Sequence, residues 1–178
     1  MQELEELLAG LAQRVEERQG VKVAIVEPSR LREAAERLRE AGYDYLLMVS
    51  GVDEPKQGRM RIVYHITRSS NPSELVALEV MVPRDDPRVP SVYDIYPAAQ
   101  IQEREEHEML GIVFEGNPDL RHLLLPEDWP EGVYPLRKDF HVAEEPYISS
   151  KPSKPIWVLK PELKPGGEAG AGEGGGKG

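Results

Sequence analysis

The chain has no cysteine. Disulfides, thiolate metal sites, iron–sulfur ligation and a cysteine nucleophile are therefore excluded as functions of its own side chains. Excess positive charge is also missing. The formal net charge is -10, which disfavours non-specific binding to nucleic acid. No apolar run approaches the roughly 20 residues that a membrane span needs. The N-terminus lacks the apolar centre of a secretory signal, so a soluble protein on the cytosolic side is expected. No internal repeat is visible. What is present is 178 residues, 39% hydrophobic and 30% charged, enough for one domain of ordinary size with a modest core and a charged surface.

The first 84 residues predict an α+β domain. Leu4, Leu7, Leu8, Leu11 and Val15 recur at helical spacing, so an amphipathic helix is expected over 3–18, ended by Gly20. Val21 to Val26 is β-branched and predicts a strand. Ser29 is placed to cap a helix over 30–41, with Leu31, Ala34, Ala35 and Leu38 as its buried stripe and Gly42 at its end. Three strands follow, over 43–52, 60–67 and 74–83. The first is densely apolar and reads as central. In the second, Met60, Ile62, Tyr64 and Ile66 alternate with polar neighbours. Pro55–Gly58 and Asn71-Pro72 supply the turns. This order argues a two-layer domain with a mixed sheet and both helices on one face. The early strand–helix–strand unit suggests a parallel crossover.

Residues 85–125 form a linker, a helix and a motif-rich segment. Pro97 suits the first position of a helix that runs to Gly111. Asp119 is placed to cap a short turn. From 126 to 165 prolines recur so closely that regular helix or sheet cannot persist. Trp129, Phe140, Tyr147, Ile156, Trp157 and Leu159 are interleaved as apolar anchors. This predicts an extended, Pro-rich C-terminal arm that gains its burial from a partner. Residues 166–178 are Gly-rich and low in complexity, which predicts disorder.

Little in the chain suggests chemistry of its own. Glu103, Glu105, Glu106, His107 and Glu108 crowd one helix, but Gly111 stands where a second zinc-binding histidine would be needed. No metal site is expected, and Arg104 with Glu108 suits a local ion pair. Gly-x-Ser-x-Gly is absent around Ser50-Gly51, and the tail's glycines lack the strand and helix of a nucleotide-binding turn. Arg137, Lys138 and Asp139 sit between Pro135-Leu136 and Phe140. Cations presented from a Pro-fixed loop can pair with a partner's carboxylates, and an exposed charged loop is the alternative.

Four motifs then occur in order. They are Glu103-Arg104-Glu105, Gly111-Ile112-x-Phe114-x-Gly116, Pro118-Asp119-Leu120-Arg121, and Pro135-Leu136-Arg137-Lys138-Asp139-Phe140. Together they resemble the 30-kDa subunit family of NADH-quinone oxidoreductase, respiratory complex I. The chain departs from the family pattern at Ile101 (usually Trp), Glu108 (Asp), Leu110 (aromatic), Asn117 (His) and His122 (Arg).

The resemblance implies a non-catalytic scaffold subunit of the peripheral arm. It implies no flavin, cluster or quinone-binding residue in this chain, with FMN and iron–sulfur clusters held by partner subunits. The complex would carry electrons from NADH to quinone and pump protons. The chain would sit at the cytoplasmic face of the membrane, beside the cluster- and quinone-site subunits. Partner docking falls to Glu103, Arg104, Glu105, Asp119, Leu120, Arg121, Pro135, Leu136, Arg137, Lys138, Asp139 and Phe140. The alternatives are the same scaffold in a membrane-bound hydrogenase complex, a stand-alone metal-dependent hydrolase using the Glu-rich helix, and a free-standing adaptor.

Overall fold

A computed structural model describes residues 2–141. The expected sites Tyr147, Ile156, Trp157 and Leu159, most of the arm and the Gly-rich tail lie outside the described residues.

A short helix α1 (Gln2–Leu7) leads into β1 (Ala12–Arg18) and β2 (Val21–Val26). Next come α2 (Leu31–Glu40), β3 (Tyr45–Glu54), β4 (Arg59–Arg68) and β5 (Asn71–Pro83). A second, two-stranded sheet pairs β6 (Arg88–Pro90) with β7 (Val113–Glu115) on either side of α3 (Ala99–Leu110). The main sheet has five strands in the order β1-β2-β5-β4-β3. Only the β2–β5 pair is parallel in it, so the sheet is mixed as expected.

One apolar core joins the three helices to a single face of the sheet. Leu4 and Leu8, then Leu31, Ala34, Ala35 and Leu38, then Ala99 and Leu110 all belong to it. They meet Met60, Ile62, Tyr64 and Ile66, whose alternation along β4 delivers every second side chain to the helices. Each fully buried large apolar side chain contributes about 2 kcal/mol to holding these layers together. The opposite face is a shallow cleft of about 330 Å³, lined by Val21, Val23, Val52 and Val63 with Arg18, Arg61 and Glu79. Glu79 is buried there beneath Arg18, at 2.6 Å.

Several expectations need correction. The helix expected over 3–18 stops at Leu7, and its second half is β1, paired antiparallel with β2. Gln19 and Gly20 both have positive φ, so a two-residue turn joins these strands with the twist a hairpin needs. Leu8 and Leu11 are buried in the core, so their spacing served a loop as well as it would serve a helix. The strand expected to be central, β3, is an edge strand. β4 pairs with it on one side and α3 packs against it, while Tyr45, Leu47 and Met48 stand about half exposed. The parallel crossover joins β2 to β5 rather than to β3. Ser29 makes no cap; Pro28–Arg30 is a turn of 3₁₀ helix that feeds α2 without a side-chain cap. The turn expected at Asn71-Pro72 lies at Ser69-Ser70, because Arg68 pairs with Asn71.

Candidate functional site

The site is α3 and the segment 111–140 folded around it. Helix α3 lies along the edge of β3 and substitutes for a missing sixth strand. The side-chain oxygen of Gln102 accepts the Val49 N–H at 2.6 Å. One turn on, Glu106 accepts the Gly51 N–H. Gly51 allows this approach, since a Cβ there would collide with Leu110 and Glu106. Burial pushes the Glu106 carboxyl up from the ordinary 4.5 to about 7.

Two other glutamates of α3 organise loops. Glu103 is fully buried, accepting hydrogen bonds from the Ser91 hydroxyl, the Val92 N–H at 2.9 Å and the Asn117 amide at 2.9 Å. Burial raises its pKa against the pull of those three donors. Glu108 is 4% exposed and accepts the N–H groups of Leu123, Leu124 and Leu125. Burial would raise this carboxyl, but the three donors outweigh it and hold it below the usual value.

Gly111 closes the helix with φ 78° and lies under the ring of Tyr134. From there the chain returns along the C-terminal end of α3. Leu136 donates its N–H to the Met109 carbonyl at 3.1 Å. Arg137 donates from Nε to the Leu110 carbonyl at 2.8 Å, its guanidinium 4.5 Å from the Tyr134 ring centre. Lys138 donates its N–H to Asp53 at 2.8 Å. Asp139 pairs with Arg84 at 2.9 Å. Phe140 meets Trp129 with ring centres 6.4 Å apart.

The residues expected to dock a partner therefore divide. Glu103 faces the interior rather than the surface, a correction to its expected place. Arg104 is held inside the chain, pairing with Asp119 at 3.1 Å and donating to the Arg121 and His122 carbonyls; the expected pair with Glu108 does not form. Asp119 accepts the Arg121 N–H at 3.2 Å, but no helical turn follows it. Leu120 packs against the core, and Pro135 is half-buried. Arg137 is anchored as described. Glu105, Arg121, Leu136, Lys138 and Asp139 keep exposed side chains. The loop carrying Arg137 to Asp139 is not free; the start of the expected arm, to residue 141, folds back on the domain. Arg84 and Leu124 were not legible in the sequence. An arginine beside two aspartates after a strand, or one leucine among three, carries no mark of its partner.

The polar groups gathered here join one segment to another, which defines the class: a two-layer α+β domain whose charged residues brace a long surface loop. Residues 24–146 match the family described as the respiratory-chain NADH dehydrogenase 30 Kd subunit, and the chain belongs to that family. It is 45% identical over 109 residues to the C subunit of the NADH-quinone oxidoreductase from Chloroherpeton thalassium, covering 61% of this chain and 43% of that one. It thus spans less than half the length of that relative. It is 36% identical over 125 residues to the J subunit of the chloroplastic NAD(P)H-quinone oxidoreductase from Staurastrum punctulatum, covering 68% of this chain and 73% of that one. Among solved structures it resembles a chain of the membrane-bound sulfane sulfur reductase, an archaeal respiratory membrane complex. That likeness has a TM-score of 0.69 at 30% identity, over 79% of this chain and 84% of that one. It also resembles a trypsin-resistant fragment (1-134) of Nqo5, with a TM-score of 0.57 at 30% identity, over 67% of this chain and 97% of the fragment.

Proposed function

We propose that this chain is a non-catalytic scaffold subunit in the peripheral arm of an NADH-quinone oxidoreductase, at the cytoplasmic face of the membrane. FMN and iron–sulfur clusters belong to its partners, which carry electrons from NADH to quinone and couple the transfer to proton pumping. One observation carries the reading: the family match over 24–146 takes in the whole of α3 and the loops braced on it. The chemistry supports it. Glu103, Glu106 and Glu108 of α3 accept hydrogen bonds from other segments of the chain, and Arg104 pairs with Asp119, as suits a rigid brace. No helix among the described residues is long and apolar enough to cross a membrane, so attachment would run through the complex.

The likeness to a chain of the sulfane sulfur reductase favours one second reading, the same scaffold role in a respiratory membrane complex of another kind. Both are tested by solubilising membranes of the source cells and recovering the complex through a tag on this chain. The first reading expects flavin, iron–sulfur clusters and NADH-quinone activity in the recovered material. A large complex with clusters but no response to NADH supports the second. A chain that migrates alone overturns both.

A further inference from the structure

The carboxylates of α3 are not equally supported. Glu103 accepts three hydrogen bonds, from Ser91, Val92 and Asn117, and Glu108 accepts three from Leu123, Leu124 and Leu125. Glu106 accepts one among the described residues, from the Gly51 N–H. An ionised carboxyl has room for about four. A Cβ on Gly51 would collide with Glu106 and Leu110 and press on Ile112, so the Glu106 carboxyl is wedged between apolar side chains and the strand. Tyr64 of β4 carries a buried hydroxyl that feels the charges of Glu103 and Glu106 and has no hydrogen-bond partner among the described residues. The charged groups nearby are of the wrong sign or engaged elsewhere. Glu105 on the same helix is like-charged and opposes ionisation. Arg104 is paired with Asp119, and His107 is engaged with the Ile112 carbonyl at 2.8 Å. Asp53 of β3 is paired with Arg84, and Glu115 of β7 is exposed beside Arg88. Arg137 of the returning segment is tied to the Leu110 carbonyl and the Tyr134 ring.

We propose that α3 and β3 form a proton-dependent latch, in which neutral Glu106 keeps the second half of α3 seated on Gly51 and ionised Glu106 lets that half part from the strand and meet water. The latch belongs to the chain itself and does not depend on the scaffold reading. Burial keeps the seated carboxyl neutral up to about 7, whereas water returns it to the ordinary 4.5 once the helix parts. Above pH 4.5 the parted form therefore binds fewer protons, and rising pH favours it until the seated form has also released its proton, above about 7. The first half of α3 stays in place, because Gln102 holds the Val49 N–H and Glu103 keeps its three donors. The second half carries other contacts with it. Glu108 holds the loop after it, and the Met109 and Leu110 carbonyls receive Leu136 and Arg137. The brace at this end of the helix is thus graded by pH across the neutral range.

The test is amide hydrogen exchange of the full chain at pH 5 and pH 8, each corrected for the exchange rate of unstructured amides, with and without low urea. Protection at Gly51 and over 106–110 should fall at least about tenfold from the lower to the higher pH. That exchange should depend little on urea, because a local opening exposes little surface. Val49, held by Gln102, should not share it. Glu106→Gln keeps an acceptor for Gly51 and should abolish the pH dependence at these amides. In the wild-type chain, the Glu106 carboxyl followed by carbon-13 NMR should titrate near 7, which stands as a test even if the variant does not fold. A wild-type carboxyl that titrates in the ordinary carboxylate range overturns the latch. So does an equal pH dependence in Glu106→Gln. Exchange at 106–110 that occurs only through urea-sensitive global unfolding also overturns it, since the helix then never parts by itself.

Discussion

Asp53 and Arg84 form a two-pronged ion pair across the end of the sheet, with Arg84 Nε 2.6 Å from one carboxylate oxygen and Nη2 2.9 Å from the other. Asp53 belongs to the edge strand β3, and Arg84 follows β5. The same two residues capture the returning segment, Asp53 through the Lys138 N–H and Arg84 through Asp139. Burial would raise the Asp53 pKa, but Arg84 and the Lys138 N–H outweigh it, so the carboxylate stays charged. Removing that charge leaves the guanidinium short of its partner. Asp53→Asn is expected to cost roughly 3 kcal/mol in urea unfolding. It should also expose the peptide bonds after Arg137 and Lys138 to trypsin. Asp139→Ala removes only the half-exposed pair with Arg84 and should cost less than about 1 kcal/mol. Equal losses for the two would show that the pair does not hold the segment.

Gly111 faces two constraints at once. Its φ of 78° favours glycine, and a Cβ would run into the Tyr134 ring. Gly111→Ala is expected to cost about 2–3 kcal/mol. Adding Tyr134→Ala should recover part of the loss, leaving the backbone cost of about 1 kcal/mol. A double variant no better than the single one would show that the ring moves aside freely.

The sequence was legible where a local pattern had one physical reading. The alternation of β4 and the stripe of α2 mark a wet and a dry face, and both elements appear where they were expected. It misled where two readings shared one pattern. Leu4, Leu7, Leu8 and Leu11 suit a helix, and Gln13 to Arg18 are mostly good helix formers, yet β1 exists because β2 offers an edge and Gln19-Gly20 turns the chain. The Glu-rich run of α3 suggested only a local ion pair between Arg104 and Glu108. Three of its carboxylates instead turn toward backbone N–H groups far along the chain, and nothing local announces such donors. The site motifs were legible through resemblance. Their internal contacts to Asp53, Arg84 and Tyr134 were not, because these span tens of residues.

Glu108 tests whether one carboxylate organises the loop after it. Glu108→Gln keeps the shape but replaces one acceptor oxygen with an amide donor, which cannot receive an N–H. At least one of the three loop N–H groups then loses its charged partner, at a cost of about 2 kcal/mol. Amide hydrogen exchange at Leu123, Leu124 and Leu125 should quicken by at least about tenfold, while α2 amides stay protected. Exchange that leaves those three amides unchanged would place the loop's support elsewhere.

Glu106 makes stability depend on pH in a direction opposite to that of Asp53. Burial behind β3 raises its pKa to about 7 from 4.5, the Gly51 N–H opposes the rise, and neighbouring Glu105 adds to it. The Tyr64 hydroxyl is buried nearby, and burial followed by the charges of Glu103 and Glu106 keeps it neutral well above the usual range. Between pH 4.5 and about 7 the unfolded chain has released the Glu106 proton while the folded chain retains it. Rising pH therefore favours unfolding. The contribution is fully present below pH 4.5 and is lost as pH climbs through about 7. Glu106→Gln keeps an acceptor for Gly51 and cannot titrate. Measured by urea unfolding at pH 5 and pH 8, the variant should gain on wild type by roughly 1–2 kcal/mol at the higher pH, after allowing for solvent near the site. The two chains should have similar stability at the lower pH. A difference that stays constant across this range would mean that Glu106 is already charged beside the edge of β3.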